Sequence, residues 1–339
     1  MISSGVLEAV LRQTDLPTLA VAEMTCSAVR RAVRSITVDC VIAAPPGSSM
    51  APEALTTAYV GFIRWLRDHA AQFRSVVVAT DDPDMTQAIG TALAKATKLH
   101  TLAVDASAIS FTGSWNVAAA MTYAATTPPP LRSLRLGRSI QSVDFLEMFA
   151  GTLRALHITV TSHGQVRDIC ALDLPQLEDL TVEMVYSQVV PLKKSTTPLS
   201  GLARLRHLSL KNMSFMGSTA TLTFPPGGLE TLQLSRCYFL ESAGFQGLRV
   251  LVSLHVNAMD YPECLDVSEL SELTLSLGAN RQVPPHVKFP AMTRFNAVDT
   301  DISMRPSQLP KICAVSLGSG CLGDTGWLLD VSRVFHLST

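Results

Sequence analysis

Apolar residues recur along this chain in a six-residue figure, apolar-x-x-apolar-x-apolar. It stands at Leu131-Leu134-Leu136, Leu153-Leu156-Ile158, Leu177-Leu180-Val182, Leu205-Leu208-Leu210, Leu229-Leu232-Leu234, Leu251-Leu254-Val256 and Leu270-Leu273-Leu275. Weaker copies flank these at Phe73-Val76-Val78, Leu99-Leu102-Val104, Met292-Phe295-Ala297, Ile312-Val315-Leu317 and Val331-Val334-His336. From Phe73 onward the first positions are separated by 26, 32, 22, 24, 28, 24, 22, 19, 22, 20 and 19 residues. Positions 4 and 6 point the same way on a strand, and positions 3, 5 and 7 point the other way. The figure therefore predicts a short strand that is apolar inside and polar outside. Stacked in parallel at about 4.8 Å per repeat, ten or eleven such strands make a face roughly 50 Å long.

The segments between the figures, and those before them, carry other periods. Residues 2–34 read as three short helices, with stripes at Val6, Leu7, Val10 and Leu11, then Leu16, Leu19 and Ala20, then Val29, Ala32 and Val33. Ile36 to Ile42 reads as a strand. Residues 53–72 carry a helical stripe at Leu55, Tyr59, Phe62, Ile63 and Leu66, and a second helix is predicted near 84–95. Pro128-Pro129-Pro130, Pro225-Pro226-Gly227-Gly228 and Pro284-Pro285 mark loops that precede repeat strands.

A period of 20–29 residues with this figure resembles the leucine-rich repeats. The stretch 229–244, L-E-T-L-Q-L-S-R-C-Y-F-L-E-S-A-G, is similar to their cysteine-containing subclass. That resemblance turns the Cys237 thiol inward, towards backbone of the adjacent turn, and gives Asn212 a related polar role one position earlier. It implies an α/β fold, a leucine-rich-repeat solenoid whose curved parallel sheet lines the concave side and whose return segments are bulkier than strands. Residues 6–33 resemble an F-box: Leu7, Val10 and Leu11 match its first helix, Asp15, Leu16 and Leu19 the break and second helix, and Cys26, Arg30 and Val33 the third. The usual initial Leu-Pro is missing, and Val29 replaces the usual Trp. The domain expectation is an F-box-like helical subdomain or cap over 1–34, then the repeats over 35–339.

Composition narrows the function. Hydrophobic residues make up 47% of the chain, yet they are dispersed, and no uncharged apolar stretch of about 18 residues offers a membrane span. Net charge is −1 with 16% charged residues, and the only basic doublets are Arg30-Arg31 and Lys193-Lys194, which disfavours nucleic acid as a partner. The seven cysteines, at 26, 40, 170, 237, 264, 313 and 321, are scattered, odd in number and lack a C-x-x-C, the pattern of reduced thiols. The N-terminus carries no secretory signal pattern, so the expected compartment is cytoplasmic or nuclear. The alternative is mitochondrial, from Arg12, Arg30, Arg31 and Arg34 among Ser and Thr.

No phosphate-binding loop, dinucleotide fingerprint, zinc-protease motif or nucleophile elbow is present. Asp81-Asp82-Pro83-Asp84 reads as a helix start and not as a cation site. His157, His207 and His255 fall on separate repeats and are not expected to converge on a metal. No cofactor and no catalytic residue is expected. What remains is the outward face of the strands, with Asp179, His207, Glu272 and Arg294 at position 3, Arg135, His157, Gln233 and His255 at position 5, and Glu183 and Lys211 at position 7. This face is polar, mixed in sign and almost free of aromatics, which suits a protein partner with matched charges. The resemblances imply a non-catalytic substrate receptor of a cullin–RING (SCF-type) ubiquitin ligase, with Leu7, Leu11, Leu16 and Leu19 meeting a Skp-type adaptor. The alternative is a structural or scaffold subunit of a ribosomal, mitochondrial or cytoskeletal assembly.

Overall fold

The computed structural model describes residues 38–43, 52–79, 83–104, 117–124, 127–137, 142–191, 197–198, 201–216, 221–223, 228–240, 244–246, 253–258, 270–277, 288–297, 310–311, 313–317 and 335–337. The helices expected over 2–34 lie outside them. The chain forms two compact units, one ending at Leu153 and the other beginning at Arg154. Both are built on parallel sheet, and the fold class is α/β.

In the first unit, strands alternate with helices. The order is β1 (Val38–Ala43), α1 (Pro52–His69), β2 (Phe73–Ala79), α2 (Pro83–Leu93), β3 (Thr101–Val104), α3 (Val117–Ala124) and β4 (Ser133–Leu136). α1 and α2 both open on proline, whose fixed φ and missing N–H suit the first helical turn. α1 is three residues shorter than the expected 53–72 at its C-terminal end, because Ala70–Gln72 tightens into a 3₁₀ turn. The strands pair in sequence order and in parallel, with Val76, Leu102 and Leu134 in one row. These residues are buried, as are Leu66 of α1, Ile89 and Leu93 of α2, and Met121 of α3. A second 3₁₀ segment, Asp144–Phe149, buries Phe145, Leu146 and Phe149. No period in the sequence foretells it.

The second unit holds β5 (Ala155–Val160), α4 (His163–Ala171), β6 (Asp179–Pro191), β7 (Thr197–Pro198), β8 (His207–Met216), β9 (Thr221–Thr223), β10 (Thr231–Leu240), β11 (Gly244–Gln246), β12 (Ser253–Ala258), β13 (Glu272–Leu277), β14 (Arg294–Ala297), β15 (Ala314–Leu317) and β16 (Phe335–Leu337). Within it, β5, β6, β8, β10, β12, β13, β14, β15 and β16 neighbour one another in that order, each parallel to the next. The figure sets the register without a slip: Leu156, Leu180, Leu208, Leu232, Leu254, Leu273, Phe295 and Val315 align across eight strands. Leu180, Leu208, Leu232 and Leu273 are 1–4% exposed, and Leu177, Leu205, Leu229 and Leu270, which open their figures, are equally buried. Exposed or half-buried positions alternate with them, so the period of two in the sequence is the period of burial.

Just before β3, β5, β6, β8 and β13, one carbonyl serves two donors in the next repeat. Arg154 O accepts from the N–H of Glu178 and of Asp179, at 2.8 and 2.9 Å; Glu178 O accepts from Arg206 and His207; Arg206 O accepts from Glu230 and Thr231. Ser271 O does the same for Thr293 and Arg294, and in the first unit His100 O does so for Arg132 and Ser133. The buried residue at position 1 and this forked acceptor at position 2 open β3, β5, β6, β8 and β13 alike.

The return segments differ from expectation. Where they are described between 188 and 246 they include strands, not something bulkier. The far ends of β6, β8 and β10 pair again in parallel (Val190 with Phe215, Phe215 with Phe239), and β7, β9 and β11 form a separate three-stranded parallel sheet. The residues are Val189-Val190-Pro191, Ser214-Phe215-Met216 and Tyr238-Phe239-Leu240, rich in types that favour strands and without a helical stripe. The ladder breaks between its two parts at Asn212 (φ 58°) and Arg236 (φ 52°), which hold the same place in consecutive repeats. A left-handed residue there turns the chain through a corner.

Candidate functional site

The side chains outside the second unit's sheet form cross-strand rows, because residues in register are neighbours a strand spacing apart. At position 2, Arg154 reaches Glu178 at 3.7 Å and Arg206 reaches Glu230 at 3.2 Å. At position 3, His207 lies between Asp179, with Nε2 to Oδ1 at 3.9 Å, and Thr231, whose hydroxyl is hydrogen-bonded to Nδ1. Arg294 meets Glu272 at 3.1 Å. At position 5, Ser209 donates to Gln233 Oε1 at 3.1 Å, and the Gln233 amide donates on to Ser235 Oγ at 3.4 Å. His157 Nε2 stands 3.9 Å from Glu183 Oε2, and Lys211 is in register with Glu183.

The structure thus brings His157, Asp179, Glu183, His207, Lys211 and Gln233 onto neighbouring strands of one face. Glu272 and Arg294 form a separate pair on β13 and β14. Arg135 is exposed on β4 of the first unit, opposite Ala103. The backbone of His255 pairs between Gln233 and Thr274, and its side chain lies outside the described residues. So do Leu7, Leu11, Leu16 and Leu19, the residues expected to meet an adaptor.

Sequence reasoning placed Asn212 and Cys237 against neighbouring backbone but missed the left-handed backbone of that corner. Asn212 Nδ2 donates to Met184 O at 3.2 Å, and the buried Cys237 thiol donates to Leu210 O at 3.4 Å, so each side chain binds backbone of the preceding coil. The cysteine was legible from its subclass pattern; the left-handed backbone at Asn212 and Arg236 was not. Burial pushes the Cys237 thiol up to about 11, against which its backbone hydrogen bonds act weakly.

Two shallow grooves occur in the first unit. One, of about 390 Å³, is lined by Ile63 and Arg67 of α1 and by Ala88, Thr91 and Ala92 of α2. The other, of about 410 Å³, is lined by Pro128, Pro129, Pro130 and Met148 among others. Neither gathers a nucleophile with a base. Among the described residues no group of three or more His, Cys, Asp or Glu side chains could hold a metal ion, and no helix is long and apolar enough to cross a membrane. Compared with known proteins, the chain matches no family model, and no curated protein is similar to it in sequence.

Proposed function

We propose that this chain is a leucine-rich-repeat solenoid acting as a non-catalytic protein-interaction module, the substrate receptor of a cullin–RING ubiquitin ligase in the cytoplasm or nucleus. The observation that carries the repeat reading is the second unit's sheet. Its strands follow in chain order at one figure per strand, with leucines inward and a polar, aromatic-poor row outward. An ordered sheet whose described outward residues are polar suits recognition of a protein surface. The ligase half of the reading rests on the resemblance of residues 6–33 to an F-box.

Two experiments test it. Co-precipitation of a Skp-type adaptor with the full chain, and its loss on deleting residues 1–34 while the repeats keep their melting transition, is the expected outcome. No adaptor on the intact chain, together with a destabilised truncation, leaves those helices as a cap and the chain as a scaffold subunit. Second, His207→Glu with Arg294→Glu reverses charge on the outward face and sets new carboxylates beside Asp179 and Glu272; it is expected to weaken partner binding at a stability loss of about 1 kcal/mol or less per site, the size of one cross-strand pair.

A further inference from the structure

We propose that the end of the first unit's sheet where β2, β3 and β4 begin, with the groove beside it, takes an acidic segment of a partner protein that carries one large apolar side chain. The site lies apart from the outward face of the second unit and stands or falls separately from the reading of that face. Position 2 of the figure supplies the charge. Arg74 holds it on β2, and His100 and Arg132 hold it one residue ahead of β3 and β4. Their backbones are bonded in line: His100 N–H donates to Arg74 O at 2.9 Å, and Arg132 N–H donates to His100 O at 2.8 Å. The two arginines therefore stand two strand spacings apart, about 10 Å. Both are exposed, and His100 between them is half-buried.

In the second unit the cations of this row are closed by pairing across strands, Arg154 with Glu178 and Arg206 with Glu230. Side chains at this position thus reach one another on adjacent strands. In the first unit the row from Arg74 to Arg132 holds no carboxylate, and among the described residues no acidic group pairs with Arg74, Lys95, Lys98 or Arg132. The groove is a second observation, independent of charge. It measures about 410 Å³, and its walls run into the basic row: Ala96 and Thr97 lead to Lys98 and His100, and Pro128 to Pro130 lead to Arg132. Met148 also lines it and is 49% exposed, which is unusual for a large apolar side chain among the described residues. Asp144 and Glu147, on the segment that carries Met148, are outnumbered by the four cations. A peptide can satisfy both parts at once, with carboxylates on the arginines and an apolar side chain against Met148 and the prolines. The lining residues include no aromatic ring on which a base could stack, which favours a peptide over a nucleic acid.

The test uses fluorescence anisotropy of the full chain with labelled Gly-Ser peptides at about 50 mM salt, where exposed charges are little screened. The probe carries three glutamates and one leucine. One control replaces the leucine by glycine, and another replaces the glutamates by lysines. The probe is expected to bind at least about threefold tighter than either. Arg74→Gln and Arg132→Gln are each expected to weaken it about two- to fivefold, the range of one exposed ion pair. Met148→Gln is expected to remove the advantage of the leucine and to leave the glycine control unchanged. Arg206→Gln makes the same change in net charge at a guanidinium held by Glu230, and leaves binding unchanged. Equal binding of the glutamate and lysine peptides overturns the proposal. So does unchanged binding after Arg74→Gln with Arg132→Gln in a protein that melts normally, or a loss with Arg206→Gln as large as with Arg74→Gln. An oligothymidylate that binds more tightly than the probe overturns it in favour of nucleic acid.

Discussion

Arg236 holds a left-handed backbone that costs a residue with a Cβ about 1–2 kcal/mol. Asn212, one coil earlier, holds the same conformation with a residue type that tolerates it. Arg236→Asn is therefore expected to stabilise the protein by about 0.5–1 kcal/mol in urea titration; an unchanged or lowered midpoint would mean that the arginine bears no strain. Its neighbour Cys237 gives a pH prediction. The folded thiol titrates near 11, above its ordinary 9.0, so the unfolded chain releases this proton first. Its contribution to stability is whole below pH 9 and is lost as pH rises towards 11. A thiol reagent at pH 8 is expected to modify Cys237 only as fast as the protein opens, and immediate labelling in the folded state would show the burial to be wrong. Gly201 is a third constrained residue: a Cβ there would lie 2.3 Å from Leu172 O. Nothing in the letters around Arg236 or Gly201 betrays the constraint. Backbone angle and close approach are set by segments distant along the chain, as Leu172 is from Gly201, and not by local sequence.

At the scale of elements, the strands were legible and the connections only partly so. Leu156, Leu180, Leu208 and Leu232 fix face and register because alternation has only two phases, and a shift by one would expose all of them. α1 and α2 were legible from their stripes to within a few residues. The Asp144–Phe149 turn and the return strands were not, since Phe145, Leu146 and Phe149 fit neither a strand nor an α-helix period, and short apolar runs such as Tyr238-Phe239-Leu240 fit several states. α4 carries a signal that could have been read. Ser162 caps Gln165 N–H, and the Gln165 side chain accepts from the backbone N–H of Ser162 at 3.1 Å and of Thr161 at 2.9 Å. Ser162→Ala is expected to cost about 1 kcal/mol; a loss well under 0.3 kcal/mol in a denaturant titration would leave the capping box without energetic weight.

At the scale of the whole molecule, two compact units were not foreseen, because the figure runs across Leu153 without interruption. The candidate site was legible as a row of positions, and its pairing was not: charge sign can be read from letters, but which carboxylate meets which cation depends on rotamers across strands. Leu208→Asp and Leu232→Asp place a carboxylate among apolar neighbours, at several kcal/mol, in rows that share their core with the strands on either side. Each is expected to abolish the folded signal of several repeats together, and wild-type far-UV circular dichroism with an unchanged melt would place those leucines at the surface. The ladder into which the forked carbonyls of Arg154, Glu178, Arg206 and Ser271 feed has a mechanical consequence. The ties between neighbouring strands are unequal, since β6, β8 and β10 pair over two stretches while β14 and β15 pair over four residues, so a force applied at the second unit's ends is expected to release the strands after β12 before those of β6 to β10. With 24 residues between successive figures at Leu205 and Leu229, the rupture between them would lengthen the tether by roughly 80 Å, one tooth of a sawtooth whose teeth follow the spacing of the figures instead of one large yield.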